Sequence, residues 1–178
     1  MYRLSRLRFI FPIGLFLALF LDGSLSNLWA KLYFAYPYSM VSELVILWLV
    51  LSYFFEQDIS IPLIPFSIAA GVVFDLYSSG ILGLNIFLFP LIVELTKVLS
   101  RYFSPSFLTI IMIFFVDIVV LMTLTYWAYS LVGITSMGIG DFLLFSLTPT
   151  LALNLVYFVI FYWPVSVLYQ HALNDQRV

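Results

Sequence analysis

The feature that most constrains this chain is a series of long apolar runs separated by short breaks rich in polar residues, proline and glycine. Each run is near the ~20 residues that a membrane-spanning helix needs. We therefore predict an all-α membrane protein, a bundle of six transmembrane helices forming one integral membrane domain over residues 1–178. The third run is short, so it either crosses with little tilt or is re-entrant. The predicted spans are residues 9–30, 39–55, 61–76, 84–100, 105–130 and 140–165.

Composition excludes several classes of function. Of the 178 residues 64% are hydrophobic and 9% are charged, against about a quarter charged in an ordinary soluble domain. A net charge of −2 with seven Lys and Arg residues argues against nucleic acid as a partner. The chain has no Cys and a single histidine, His171, whereas a metal site needs several converging donors. We expect no metal and no cofactor, and the lipid bilayer as the surrounding medium.

The basic residues indicate how the bundle is oriented. Under the six-span prediction only Lys31 lies on the side opposite the N-terminus. The residues on the N-terminal side are Arg3, Arg6, Arg8, Lys97, Arg101 and Arg177. The positive-inside rule therefore places both termini in the cytoplasm. We also expect the first helix to remain uncleaved, because no small-x-small cleavage site follows Leu21.

Six acidic residues lie in or next to the predicted spans, where each ionisable group costs at least ~2.5 kcal/mol and needs a partner or a role. They are Asp22, Glu43, Asp75, Glu94, Asp117 and Asp141. Glu94 and Lys97 are three residues apart, so we expect them to pair on one helix face. Asp117 and Asn154 lie near the middle of two adjacent antiparallel spans. We predict that both are buried and hydrogen-bond each other, and we favour this structural role over a proton relay because no further titratable groups lie at that level.

One segment resembles a catalytic motif. Residues 138–141, Gly-Ile-Gly-Asp, resemble the G-x-G-D motif of intramembrane aspartyl proteases, in which Asp117 and Asp141 would serve as general base and acid. The chain has too few spans for that family, and Asp117 would lie roughly 20 Å deeper than Asp141. We therefore expect Asp141 to mark a helix start. The protease is a remote alternative, and the expected protein is not an enzyme.

The third predicted span and the hairpin after it carry the most distinctive pattern. Ser67 and Gly71 are four residues apart, which places two small side chains on one helix face. Close packing inside the chain is the favoured interpretation of that face, and docking of a partner helix is the alternative. Asp75 is followed by Ser-Ser-Gly and then by Gly83. This pattern suits a tight return in which the carboxylate accepts loop N–H groups and glycines adopt positive φ.

The same hairpin carries a resemblance to a known family. Asp75 and Leu76, then Gly80 with one extra residue before it, then Leu82 and Gly83, resemble the D-L-x-x-G-x-x-L-G signature of the rod shape-determining MreD family. The resemblance implies a non-enzymatic scaffold or regulator of bacterial cell elongation and peptidoglycan synthesis, multi-pass in the cell membrane. It implies MreC as a binding partner, with MreB and the peptidoglycan synthases of the elongasome as further neighbours.

The MreD family is also similar to the S-components of energy-coupling-factor transporters, six-helix bundles that bind vitamins from the outer side. That likeness implies an alternative function, a substrate-binding subunit of a small-molecule transporter. A vitamin site needs several convergent polar groups, and the outer loops offer few beyond Asn27, Glu43, Asn85 and Thr135. We therefore favour the scaffold. The expected partner interface consists of Ser67, Gly71, Asp75, Leu76, Gly80, Leu82, Gly83 and Asn85.

Overall fold

The computed structural model of the chain describes residues 7–56, 61–78 and 81–174, and these residues form helices and connections without any strand. The prediction of an all-α protein is confirmed. The helices are α1 (Leu7–Leu28), α2 (Ala30–Tyr33), α3 (Leu44–Phe55), α4 (Leu63–Ser78), α5 (Leu84–Ser100), α6 (Phe107–Leu131), α7 (Ile139–Asp141) and α8 (Thr148–Asn174). A π-helical turn, Phe142–Leu147, joins α7 to α8.

Three stretches within the described residues are long and apolar enough to cross a membrane. They are Phe9–Leu28, Phe107–Leu131 and Ile139–Leu173. Two shorter apolar helices, Leu44–Phe55 and Leu63–Tyr77, accompany them. The chain is therefore a helical membrane protein.

Helix α3 is the centre of the bundle. Its Val45, Ile46 and Leu51 are fully inaccessible to solvent, and the helix packs against α1, α4, α5, α6 and α8. A helix that is apolar on all sides is expected to be buried on all sides. These five helices therefore form a ring around α3.

The outer faces of this ring are strongly apolar. Large side chains on α1, α6 and α8 are exposed, among them Phe9, Ile13, Phe16, Phe20, Leu108, Met112, Val156, Val159 and Ile160. In water a continuous patch of this kind would drive association. In a bilayer the same side chains contact lipid at no such cost, which agrees with a membrane protein.

Two helices have different bounds from the apolar runs that predicted them. Helix α3 begins at Leu44, because side chains of other helices bond the backbone of residues 41–45, as described below. Helix α8 continues to Asn174, nine residues past the end of the predicted span at residue 165. Its Tyr169 is fully buried and donates a 2.6 Å hydrogen bond to Ser52 Oγ of α3, so packing against α3 extends the helix.

Candidate functional site

The hairpin between α4 and α5 is organised around the carboxylate of Asp75, which is buried near the end of α4. Its oxygens accept hydrogen bonds from the backbone N–H groups of Gly83 (2.9 Å), Asn85 (3.1 Å) and Ile86 (3.3 Å). The side-chain amide of Asn85 donates another, at 2.8 Å. N–H groups in the first turn of a helix have no partner within that helix, and the dipole there favours an anion. Asp75 therefore caps α5 from the preceding helix.

The geometry of this return was expected from the sequence. Gly83 directly precedes α5 and has φ of +98°, a conformation that glycine adopts without the steric cost that a Cβ brings. The expectation that the Asp75 carboxylate accepts loop N–H groups is confirmed. Gly80 lies outside the described residues.

The face of α4 that carries Ser67 and Gly71 is occupied by α5. Ser67 is fully buried and donates to the Ile64 carbonyl at 2.8 Å. A Cβ built on Gly71 would lie 2.5 Å from the backbone oxygen of Asn85 and 2.7 Å from the Cα of Ile86, so only glycine permits this approach. The small residues serve packing inside the chain, and their inclusion in a partner interface is corrected.

A neighbouring face of α4 is open. Ile68, Val72 and Leu76, spaced by four residues, are exposed and share one helix face; we call them the α4 stripe. Leu76 and Leu82, both members of the expected interface, are each 73% exposed. Asp75 and Asn85 are buried. Among the described residues, the exposed part of the MreD-like signature therefore consists of its two leucines.

A second aspartate cap lies at the start of α3. Asp22 of α1 is 3% exposed, and its Oδ1 accepts hydrogen bonds from Ser42 Oγ (2.7 Å) and Leu44 N (3.0 Å). Its Oδ2 accepts from Val45 N at 3.0 Å. The sequence marked Asp22 as a residue that needed a partner but did not identify this role. As with Asp75, a carboxylate of one helix satisfies the free N–H groups of another.

Helix α8 holds the same segment from the other side. Asn154 Oδ1 accepts from the backbone N–H of Glu43 at 2.9 Å, and its Nδ2 donates to the Val41 carbonyl at 2.8 Å. Thr150 Oγ1 accepts from the Val41 N–H at 3.1 Å. Backbone groups that lack a helical partner must be satisfied in an apolar medium. Residues 41–45 are therefore fixed by side chains of α1 and α8.

Asp117 and Asn154 are both fully buried, but the predicted hydrogen bond between them is wrong. Asp117 Oδ2 accepts from Thr96 Oγ1 of α5 at 2.7 Å, and Oδ1 has no hydrogen-bond partner among the residues that the structure describes. Similar depth in adjacent helices does not fix which neighbour a side chain faces. The π-helical turn before α8 also changes helical rotation relative to an ideal α-helix, so Asn154 faces α3 and Asp117 faces α5.

The remaining acidic residues have simpler surroundings. The expected pair of Glu94 and Lys97 is confirmed, with 2.8 Å between Oε1 and Nζ. Asp141 is exposed in α7, whereas Asp117 is sealed in the core. An aspartyl protease requires two carboxylates that share one water, and these two environments do not provide such a dyad.

A cavity of about 860 Å³ opens beside both caps; we call it the hairpin-end cavity. Asp22 and Glu43 line it from the α1–α3 side, and Tyr77 and Asn85 line it from the hairpin. The four polar residues that the sequence offered for an outer site, Asn27, Glu43, Asn85 and Thr135, all lie on its wall. The sequence underestimated this site, because serines, threonines and tyrosines from distant segments add to it. They include Ser26, Ser39, Ser42, Thr125, Tyr126, Tyr129 and Ser146.

Comparison with known proteins gives one finding. A family model described as rod shape-determining protein MreD matches residues 7–172, nearly the whole chain. No significant match exists among curated proteins or among solved structures.

Proposed function

This chain belongs to the MreD family of rod shape-determining membrane proteins, and we propose that it acts in cell elongation as a non-enzymatic scaffold that binds MreC. MreB and the peptidoglycan synthases of the elongasome are its further neighbours in this proposal. Most of the buried polar side chains bond to the chain itself: Asp22 and Asp75 cap helices, and Asn154 fixes backbone. This use of polar groups in holding helices together supports a structural role.

The proposed topology has six spans, both termini in the cytoplasm and a bundle like that of the S-components. A helix lies in each of the six apolar runs. Helix α3, with 12 residues, has a length of about 18 Å. The non-helical residues 39–43 add up to about 16 Å, at ~3.3 Å per residue, and together these lengths match a hydrocarbon core of ~30 Å. Non-helical backbone is tolerated at membrane depth where protein surrounds it.

The proposed MreC surface is the α4 stripe together with Leu82. The observation that carries this assignment is the exposure of Leu76 and Leu82, the two leucines of the family signature. The capping role of Asp75 explains why this member of the signature is buried, whereas the two leucines are largely exposed and so have little packing role within the described part of the chain. Exposed leucines on a capped hairpin suit packing against the apolar face of a single-span partner helix. In the proposed topology the hairpin lies at the outer face.

The test is co-purification of MreC with a triple alanine variant of the α4 stripe, Ile68→Ala, Val72→Ala and Leu76→Ala. We expect at least about a tenfold loss of retained MreC, since three truncated contacts at about 0.5 kcal/mol each correspond to that factor. Helix α6 supplies a matched control, because Leu108, Met112 and Val116 have the same spacing and are also exposed. Alanine at those three positions should leave MreC bound.

Full retention of MreC by the α4 variant, or equal losses in both variants, would contradict the surface. A bulky residue at Gly71 is a poor probe of it. Such a side chain would meet the backbone of α5 and disturb the hairpin itself, so weakened binding would not report on contact with the partner.

A further inference from the structure

The hairpin-end cavity contains a carboxylate that the chain itself leaves unused. Glu43 is 7% exposed and lines the cavity. Its backbone N–H bonds Asn154 Oδ1, but within the described residues no hydrogen bond or ion pair reaches its carboxylate. The carboxylate of nearby Asp22 supplies no hydrogen-bond donor to Glu43, because it is itself an acceptor for three donors. Glu43 is thus a buried acidic group that lacks a donor.

The described residues of the cavity wall offer no compensating charge. They include two carboxylates and no Lys, Arg or His. A buried carboxylate without a partner carries a penalty of several kcal/mol, and chains retain such a group where something else satisfies it. A cation supplied from outside the chain would provide the missing charge and the missing hydrogen-bond donors together.

The rest of the wall indicates what kind of cation fits. Aromatic rings of Tyr77, Tyr126, Tyr129 and Phe142 surround the space, and aromatic faces attract ammonium groups. Part of the wall on the α1 and α6 sides is apolar, formed by Phe16, Leu19, Phe20, Leu121 and Met122. A hydrated metal ion gains nothing from such surroundings, whereas an amine attached to an apolar body contacts both parts of the wall.

We propose that the hairpin-end cavity binds a ligand that carries a protonated amine, with the ammonium paired to Glu43 and an apolar portion against α1 and α6. This site goes beyond the proposed scaffold function and does not depend on the α4 stripe. Two sources present the same chemistry: the headgroup of an aminophospholipid that enters from the bilayer, and a free alkylamine that enters from water.

The experiment is native mass spectrometry of the purified full chain in detergent with four probes. Phosphatidylethanolamine is compared with phosphatidylglycerol of identical acyl chains, and hexylamine is compared with hexanol. We expect an amine probe to be retained and its uncharged or anionic counterpart to be lost. Preference for phosphatidylethanolamine identifies a lipid headgroup as the ligand, and retention of hexylamine identifies a free amine.

The variant Glu43→Gln keeps the size of the side chain and the backbone bond to Asn154 while it removes the charge. It should reduce amine occupancy by about tenfold or more, as expected when one partner of a buried charge pair is removed. Glu94→Gln is the matched control, because that carboxylate pairs with Lys97 on an exposed face, and it should bind as the unaltered protein does.

Equal retention of phosphatidylglycerol and phosphatidylethanolamine without any bound hexylamine would overturn the proposal, as would the absence of any bound amine. Binding that survives Glu43→Gln would overturn it too. The comparison of probes needs only the unaltered protein, so the proposal is testable even if the variant does not fold. Loss of MreC from the α4 stripe variant together with unchanged amine binding would separate this site from the scaffold function.

Discussion

Asp75 and Asp22 perform the same task at two places in the bundle. Each is a buried carboxylate near the end of one helix that accepts the free N–H groups at the start of another, α5 for Asp75 and α3 for Asp22. The donors that bond Asp75 lie 8 to 11 residues from it in the sequence. Asp22 reaches 20 to 23 residues, and the segment that it caps is also held by Asn154, 111 residues away.

The difference shows what determines each cap. The Asp75 hairpin closes within one short stretch, so turn residues and the cap can be specified by neighbouring positions. The start of α3 depends on residues distant in sequence, because its donors are satisfied by side chains from both α1 and α8. The two caps should therefore respond differently to substitution, in magnitude and in coupling to distant residues.

The largest effect is expected from Asp75→Ala. Four N–H donors would lose their acceptor, and each buried unsatisfied donor costs about 1–3 kcal/mol, in part relieved by rearrangement. We expect a loss of about 4 kcal/mol in the free energy of unfolding, measured by reversible denaturation in mixed micelles. Asp75→Asn retains one acceptor oxygen and should lose about half as much. Equal stability of the unaltered and alanine proteins would contradict the capping role.

The same difference between local and distant contacts decides what could be predicted from the sequence. The apolar runs predicted the helices, and the hairpin cap was recognisable because Asp75, Gly83 and Asn85 are close in sequence. The sequence also indicated the Glu94–Lys97 pair for this reason. The spacing of residues in the sequence predicts contacts within a helix or across one turn.

Contacts between distant segments were not recoverable in this way. Asp22 was recognised as needing a partner, but no pattern links it to Ser42 and Leu44. Asp117 was assigned to Asn154 from depth and helix order alone, whereas helix rotation decides the contact and directs it to Thr96. The polar character of the hairpin-end cavity was underestimated for the same reason, because its polar wall comes from several segments. Pairing between helices depends on their rotation, which hydropathy does not encode.

The second prediction concerns Asp22→Ala. Three donors lose their acceptor, so we expect a loss of about 3 kcal/mol, somewhat below that for Asp75→Ala. Because Asp22 and Asn154 hold the same short segment, a double-mutant cycle with Asn154→Ala should show a coupling of about 1 kcal/mol. The cycle of Asp75→Ala with Asn154→Ala should be additive. Coupling in both cycles, or in neither, would remove the distinction between the local and the distant cap.

Gly71→Ala tests whether the close approach of α4 to α5 constrains the hairpin. The new Cβ would lie 2.5 Å from the backbone oxygen of Asn85, so α4 and α5 must move apart, at a cost of about 2 kcal/mol. Gly140→Ala is the control, because a Cβ there meets nothing within 4 Å. Thermal unfolding of both variants in detergent gives the comparison. A Gly71→Ala protein as stable as the Gly140→Ala protein would show that the close approach does not constrain the hairpin.

The smallest change in stability is expected at Asp117, a buried carboxylate that does not cap a helix. Asp117 receives one hydrogen bond, from Thr96, and its other oxygen is unpartnered. Thr96→Val should therefore cost about 1 kcal/mol. Asp117→Asn should show coupling to Thr96→Val in a double-mutant cycle and none to Asn154→Ala, because Asp117 and Asn154 share no hydrogen bond. Measured coupling between Asp117 and Asn154 would restore the contact expected from helix order and would contradict the rotation of α8 described here. Its absence would agree with the contacts of the three aspartates that are buried among the described residues. Asp22 and Asp75 accept free N–H groups where helices begin, and Asp117 joins α5 and α6 through a single hydrogen bond.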